Sequence, residues 1–194
     1  MYNYITGALK VFLILVLVYG CAGSTIKYIN PSANFSYIKK VAVLPLNNYS
    51  DDKYAGEKVR SALVIDLMSR HVFDVMEQGE VSKAMSLLFR EEGAEEGRVV
   101  PMDKDTLKLL GEKLGVQAII MGSVNEYSSS RGGAAANVIS ISVRMLDAAS
   151  GTVLWQANTS ETGGSAWRKV LGVEQVDMTL LATSAVRRLL NTLL

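Results

Sequence analysis

Hydrophobic positions along the chain fall into blocks whose spacing changes from one segment to the next. Val41-Ala42-Val43-Leu44-Pro45-Leu46 is an apolar, partly β-branched run that predicts a buried strand, with Pro45 near its end. Past the polar loop Asn47–Asp52, the residues Ala55, Val59, Ala62, Leu63 and Leu67 recur at helical spacing and predict a helix over 54–69. Phe73-Asp74-Val75-Met76 reads as a short strand, and a second helix follows over 80–89. Beyond a charged loop from Glu91 to Gly97, Asp103 and Asp105 open a third helix with the stripe Leu107, Leu110, Leu114, which Gly115 ends.

Three strands come next. Residues 118–124 are apolar enough for the centre of a sheet. Residues 138–146 alternate, with Ile139, Ile141, Val143 and Met145 on one face and Ser140, Ser142 and Arg144 on the other. Asp147-Ala148-Ala149-Ser150-Gly151 predicts a tight hairpin turn, and 152–159 the returning strand. Met178, Leu181, Ala182, Ala185, Val186, Leu189, Leu190 and Leu193 mark one face of a closing helix. The predicted order is β-α-β-α-α-β-β-β-α, an α/β (α+β) class fold in which helices pack on a mixed sheet, formed as one domain over 38–194.

The first twenty residues stand outside that pattern. A short positive region with Lys10 precedes the eight-residue apolar run Val11–Val18. As a helix this run would reach only about 12 Å, against a hydrocarbon core of roughly 30 Å. The expectation is a cleaved secretory signal peptide over 1–20. Val18-Tyr19-Gly20-Cys21 resembles a bacterial lipobox, with cleavage between Gly20 and Cys21 and acylation (palmitate among the acyl groups) of the chain's one cysteine. Buried acyl chains contribute about 0.8 kcal/mol per CH₂, enough to hold the chain in a leaflet. Ala22 stands where an aspartate would signal inner-membrane retention, so the outer membrane, on its periplasmic face, is expected. Residues 22–37 are polar and turn-rich around Asn30-Pro31-Ser32, and 21–37 read as a lipidated tether reaching some 55 Å when extended.

Composition narrows the chemistry. The chain has 194 residues, 49% hydrophobic and 20% charged, and its net charge of +1 supplies no field for nucleic acid. One cysteine and one histidine exclude a disulfide framework and any zinc site built on several such ligands. His71 fits a helix end better than a general base, having no cysteine or nucleophile elbow near it in sequence. Glu91, Glu92, Glu95 and Glu96 lack the spacing of a calcium loop, and Asp103 and Asp105 read as helix-start acids. Gly132-Gly133 and Gly163-Gly164 are not phosphate loops. Trp155 is expected in the core, and Trp167 in a glycine-rich loop is a mild candidate for a binding surface. No catalytic residue, metal site or cofactor is expected, nor a small-molecule substrate.

Three segments carry a family likeness. Lys40–Asn48, Leu114–Val124 and Val143–Leu154, in this order and behind a lipobox, resemble the CsgG-like superfamily of bacterial envelope lipoproteins, which groups the curli-secretion lipoprotein CsgG, the penicillin-binding-protein activator LpoB and relatives. The resemblance implies a periplasmic domain like the amino-terminal domain of TolB, no enzyme activity, and action by self-assembly or contact with an envelope protein. The expected role is a non-catalytic assembly or accessory component. The alternatives are a CsgG-type secretion-pore subunit and, from another class, a periplasmic ligand-binding domain or enzyme. A membrane hairpin needs two strands of about 9–11 residues. The candidate segments 125–137 and 160–172 have 13 residues each and no lipid-face alternation, which disfavours the pore.

Overall fold

The computed structural model describes residues 24–91, 102–129, 136–163 and 177–193. In chain order the elements are β1 (Thr25–Ile29), β2 (Lys40–Val43), β3 (Asn47–Asn48), α1 (Ala55–Ser69), β4 (Asp74–Val75), α2 (Gln78–Glu91), α3 (Lys104–Leu114), β5 (Ala118–Ser128), β6 (Asn137–Asp147), β7 (Val153–Gly163) and α4 (Met178–Leu190). The strands form one mixed sheet in the order β1-β7-β6-β5-β2-β4, with β3 also on β5. Strand β2 runs parallel to both β4 and β5, whereas β5, β6, β7 and β1 are successively antiparallel.

The parallel part is buried on both sides, which is why its sequence is a continuous apolar run. Val41, Val43, Ala118 and Ile120 face a core closed by α1 and α4, through Val59, Leu63 and Leu67 and through Leu181, Ala185, Val186, Leu189 and Leu190. Ala42, Leu44 and Ile119 face a second core closed by Val81, Ala84 and Leu88 of α2 and Leu107, Leu110 and Leu114 of α3. That second layer reaches the sheet as far as Met121, Leu146 and Val153. Ile139, Ile141, Val143 and Met145 of β6 all lie in the first core, as their alternation requires.

Local signals place the ends. Asp103 caps α3 by accepting a hydrogen bond from the Thr106 amide at 2.8 Å, and Gly115 ends it in the left-handed region at φ 64°. Gly151, at φ 70°, closes the β6–β7 turn. Asp147 organises that turn by accepting from the amide and hydroxyl of Ser150, both at 2.6 Å. Trp155 is fully buried, and its indole N–H donates to Thr192 Oγ1 at 3.0 Å.

One boundary is corrected. Residues 25–37, expected in a tether that contributes nothing to the core, belong to the folded domain. Thr25–Ile29 pairs with β7 from Thr25↔Thr159 to Ile29↔Trp155, and the Thr25 and Thr159 hydroxyls lie 2.9 Å apart. Ala33 and Phe35 pack against the first core. The five-residue strand adds to a partner 130 positions away, and the local pattern around Asn30-Pro31 carries no trace of that pairing. Between Cys21 and Thr25 the chain can span only about 14 Å, not 55 Å.

Candidate functional site

Beyond Met121, Leu146 and Val153, the antiparallel part of the sheet is covered by helices on one side only among the described residues. On its other face, the register aligns Met121, Arg144, Gln156 and Tyr28 in one cross-strand row and Ser123, Ser142, Asn158 and Ile26 in the next. Directly paired residues share a face and neighbouring strands stand about 4.8 Å apart, so these rows form a continuous polar surface. A bulge between Val124 and Glu126 turns Asn125 toward it, where Asn125 accepts from the Ser123 hydroxyl and donates to Ser142 Oγ, each at 2.8 Å.

A shallow depression of about 210 Å³ sits in this surface, bounded by Asn47 and Tyr49 on one side and by Arg144 and Gln156 on the other. Its floor is backbone at Gly122, where a Cβ would meet the Ser142 carbonyl oxygen at 2.1 Å. The Arg144 side chain makes no ion pair or hydrogen bond with any described residue.

Among the described residues the surface ends at a strand with one unpaired edge. Ser24 accepts from the Ser160 amide, and Asn30 donates to the Leu154 carbonyl. By antiparallel alternation, Thr25, Lys27 and Ile29 therefore turn their backbone groups outward. Ile26 is 72% exposed and Tyr28 50%, an apolar edge of the kind proteins usually cover.

The residues singled out from the sequence do not gather into a reaction centre. His71 is exposed, at φ 54°, two residues past the end of α1. Asp103 serves its cap, where hydrogen bonds from the backbone and hydroxyl of Thr106 hold its carboxyl below the usual range. Asp105 occupies the first turn of α3, and Glu91 is the last residue of α2. Gly163 ends β7. Gly20, Cys21, Glu92, Glu95, Glu96, Gly132, Gly133, Gly164 and Trp167 lie outside the described residues. Among the described residues no group of three or more His, Cys, Asp or Glu could hold a metal, and no helix is long and apolar enough to cross a membrane.

Several polar groups have structural roles that the sequence does not announce. Arg60, 3% exposed on α1, donates Nε and Nη2 to the Val43 carbonyl at 3.1 and 2.9 Å. Strand β4 pairs only with Lys40 and Val41, so this carbonyl lies past its end and the guanidinium supplies the missing donor. Burial pushes the Arg60 pKa down. Glu161, buried on β7, lies 2.8 Å from Arg188 Nε of α4; Oε1 accepts no directed hydrogen bond, so the contact is one of charge. Asp66 joins Arg70 at 2.7 Å, and Arg70 reaches Asn191 at 2.7 Å, tying α1 to the end of α4.

A mixed sheet with two helices on one face and two covering part of the other is a fold shared with solved bacterial proteins, a lipoprotein among them. The chain is similar to PelC of Paraburkholderia phytofirmans, solved as a dodecamer, at 20% identity and a TM-score of 0.61 over 89% of this chain and 97% of that one. It is similar to lipoprotein GNA1162 of Neisseria meningitidis at 18% identity and a TM-score of 0.50, covering 80% and 99%. It also resembles the hypothetical protein CT253 of Chlamydia trachomatis at 13% identity and a TM-score of 0.51, covering 80% and 95%. These likenesses show the fold. No protein-family model and no curated protein matches the sequence.

Proposed function

We propose that this chain is a non-catalytic, lipid-anchored accessory component of the bacterial envelope, of the CsgG-like kind, that works through protein contacts with an envelope partner or with further copies of itself. One observation carries the reading: among the described residues one face of the antiparallel half of the sheet has no helix over it, and that half ends at the unpaired edge of β1, which starts four residues after Cys21. With residues 1–20 removed and Cys21 acylated in the outer membrane, at most about 14 Å of chain separates the leaflet from β1. The domain then works at the membrane surface rather than across a gap. PelC was solved as a dodecamer, and the fold this chain shares with it supports self-assembly.

The pore alternative gains less. Strands β5 and β6 bury one face in the core, and the eight residues between them are fewer than the two strands of about 9–11 residues that a membrane hairpin needs.

The test is fractionation with a labelled fatty acid, run on the native chain, on Cys21→Ala and on a form with twelve Gly/Ser residues inserted between Ala22 and Ser24. Label should enter the native chain and not the alanine variant, which should leave the outer membrane. The insertion should keep label and fold but lower complementation. Outer-membrane retention of Cys21→Ala, or full activity after the insertion, would overturn the anchored-at-the-surface reading.

A further inference from the structure

The depression on the open sheet face combines features that favour one ligand chemistry. Among the residues that line it, Arg144 carries the one formal charge, and no acid opposes it. Its guanidinium, without a partner among the described residues, presents a planar fork of donors that takes a carboxylate through two parallel hydrogen bonds. Gln156 stands directly across from Arg144 on β7 and offers an amide donor. Ser142 Oγ already accepts from Asn125, which leaves its own proton to donate. Tyr49, 71% exposed, supplies an aromatic wall, and Met121 an apolar one. An aromatic face beside amides and hydroxyls receives the C–H side of a sugar ring while its hydroxyls find partners.

We propose that this depression binds a carboxylate-bearing saccharide, with the carboxylate on Arg144 and the ring against Tyr49. An acidic peptide fits less well. The backbone groups of β5, β6 and β7 are paired with one another here, so a peptide main chain has no ladder to join.

The experiment is calorimetric titration of the full chain, purified in detergent, with trigalacturonate as the probe. Its methyl ester keeps the rings and removes the charge, and sodium acetate keeps the charge and removes the rings. Saturable binding of trigalacturonate is expected, with the ester and Arg144→Gln each about tenfold weaker or more, as loss of a charge-assisted pair implies. Tyr49→Ala should also weaken binding, and equimolar acetate should not compete. Absent binding, equal affinity for the ester, or effective competition by acetate would each overturn the proposal. So would unchanged affinity in a folded Arg144→Gln chain. The ester and acetate arms use the native protein and decide the matter even if the variant fails to fold.

Discussion

The Tyr37 hydroxyl donates to the Asp147 carboxylate, joining the segment before β2 to the β6–β7 turn across 110 positions of sequence. Burial, with the Asp147 hydrogen bond and charge, pushes the Tyr37 pKa up to about 12. Burial alone would raise the Asp147 carboxyl, but hydrogen bonds from Ser150, Tyr37 and the turn backbone outweigh it and leave it below its usual 3.8. The signs are opposite. Tyr37 contributes fully below its ordinary value of 10, and that contribution drains as pH rises toward 12. Asp147 contributes fully above 3.8 and loses its share as pH falls through its lowered value. Tyr37→Phe should cost about 1 kcal/mol at neutral pH. It should also remove the fall in stability that this tyrosine causes above pH 10, read by chemical denaturation across pH.

Arg60→Ala should cost roughly 1–3 kcal/mol by leaving the buried Val43 carbonyl without its donor. Arg60→Lys should recover only part of this, since one ammonium cannot reproduce the two-pronged contact. Urea midpoints for the two variants check the order.

Leu189→Ala removes a fully buried side chain from the α4 layer and should cost about 2–5 kcal/mol. The melting temperature should fall by several degrees. Thr192→Val should cost less, about 1–3 kcal/mol, because it strands the buried Trp155 N–H while preserving shape.

His71→Gly tests the structural role of the one histidine. At φ 54° a side chain costs roughly 1–2 kcal/mol, which glycine relieves while adding freedom to the unfolded chain. Stability should stay level or rise by up to about 1 kcal/mol, with activity unchanged in complementation. Lost activity in a folded protein would mean that the imidazole itself acts.

Gly122→Ala should destabilise by about 1–3 kcal/mol, because its Cβ would collide with backbone rather than with a side chain that could move. Thermal melts of Gly122→Ala and Gly79→Ala side by side provide the comparison, since the Cβ at Gly79 meets only the mobile end of Glu77.

Short-range pattern was enough to specify the helices and strands from β2 onward, apart from the two-residue β3 and the last four residues of β5 and of β7. The apolar run at 41–46, the stripe of α4, the Asp103 cap and the Asp147–Gly151 turn each depend on neighbours within a few residues. Alternation along 138–146 likewise determined that Ser140, Ser142 and Arg144 would share a face. Whether a helix covers that face is a different matter. It follows from α2 and α3 packing on β2 and the start of β5 and reaching only to Met121, Leu146 and Val153. Strand β1 shows the same division. Thr25–Ile29 has little to hold it extended by itself, and only the edge of β7, already built from residues 130 positions later, turns it into a strand. Tyr37 with Asp147 and Arg60 with Val43 are equally non-local. Periodicity records which side of an element is apolar; which surfaces meet, and which stay open, is decided by packing between segments distant in the chain.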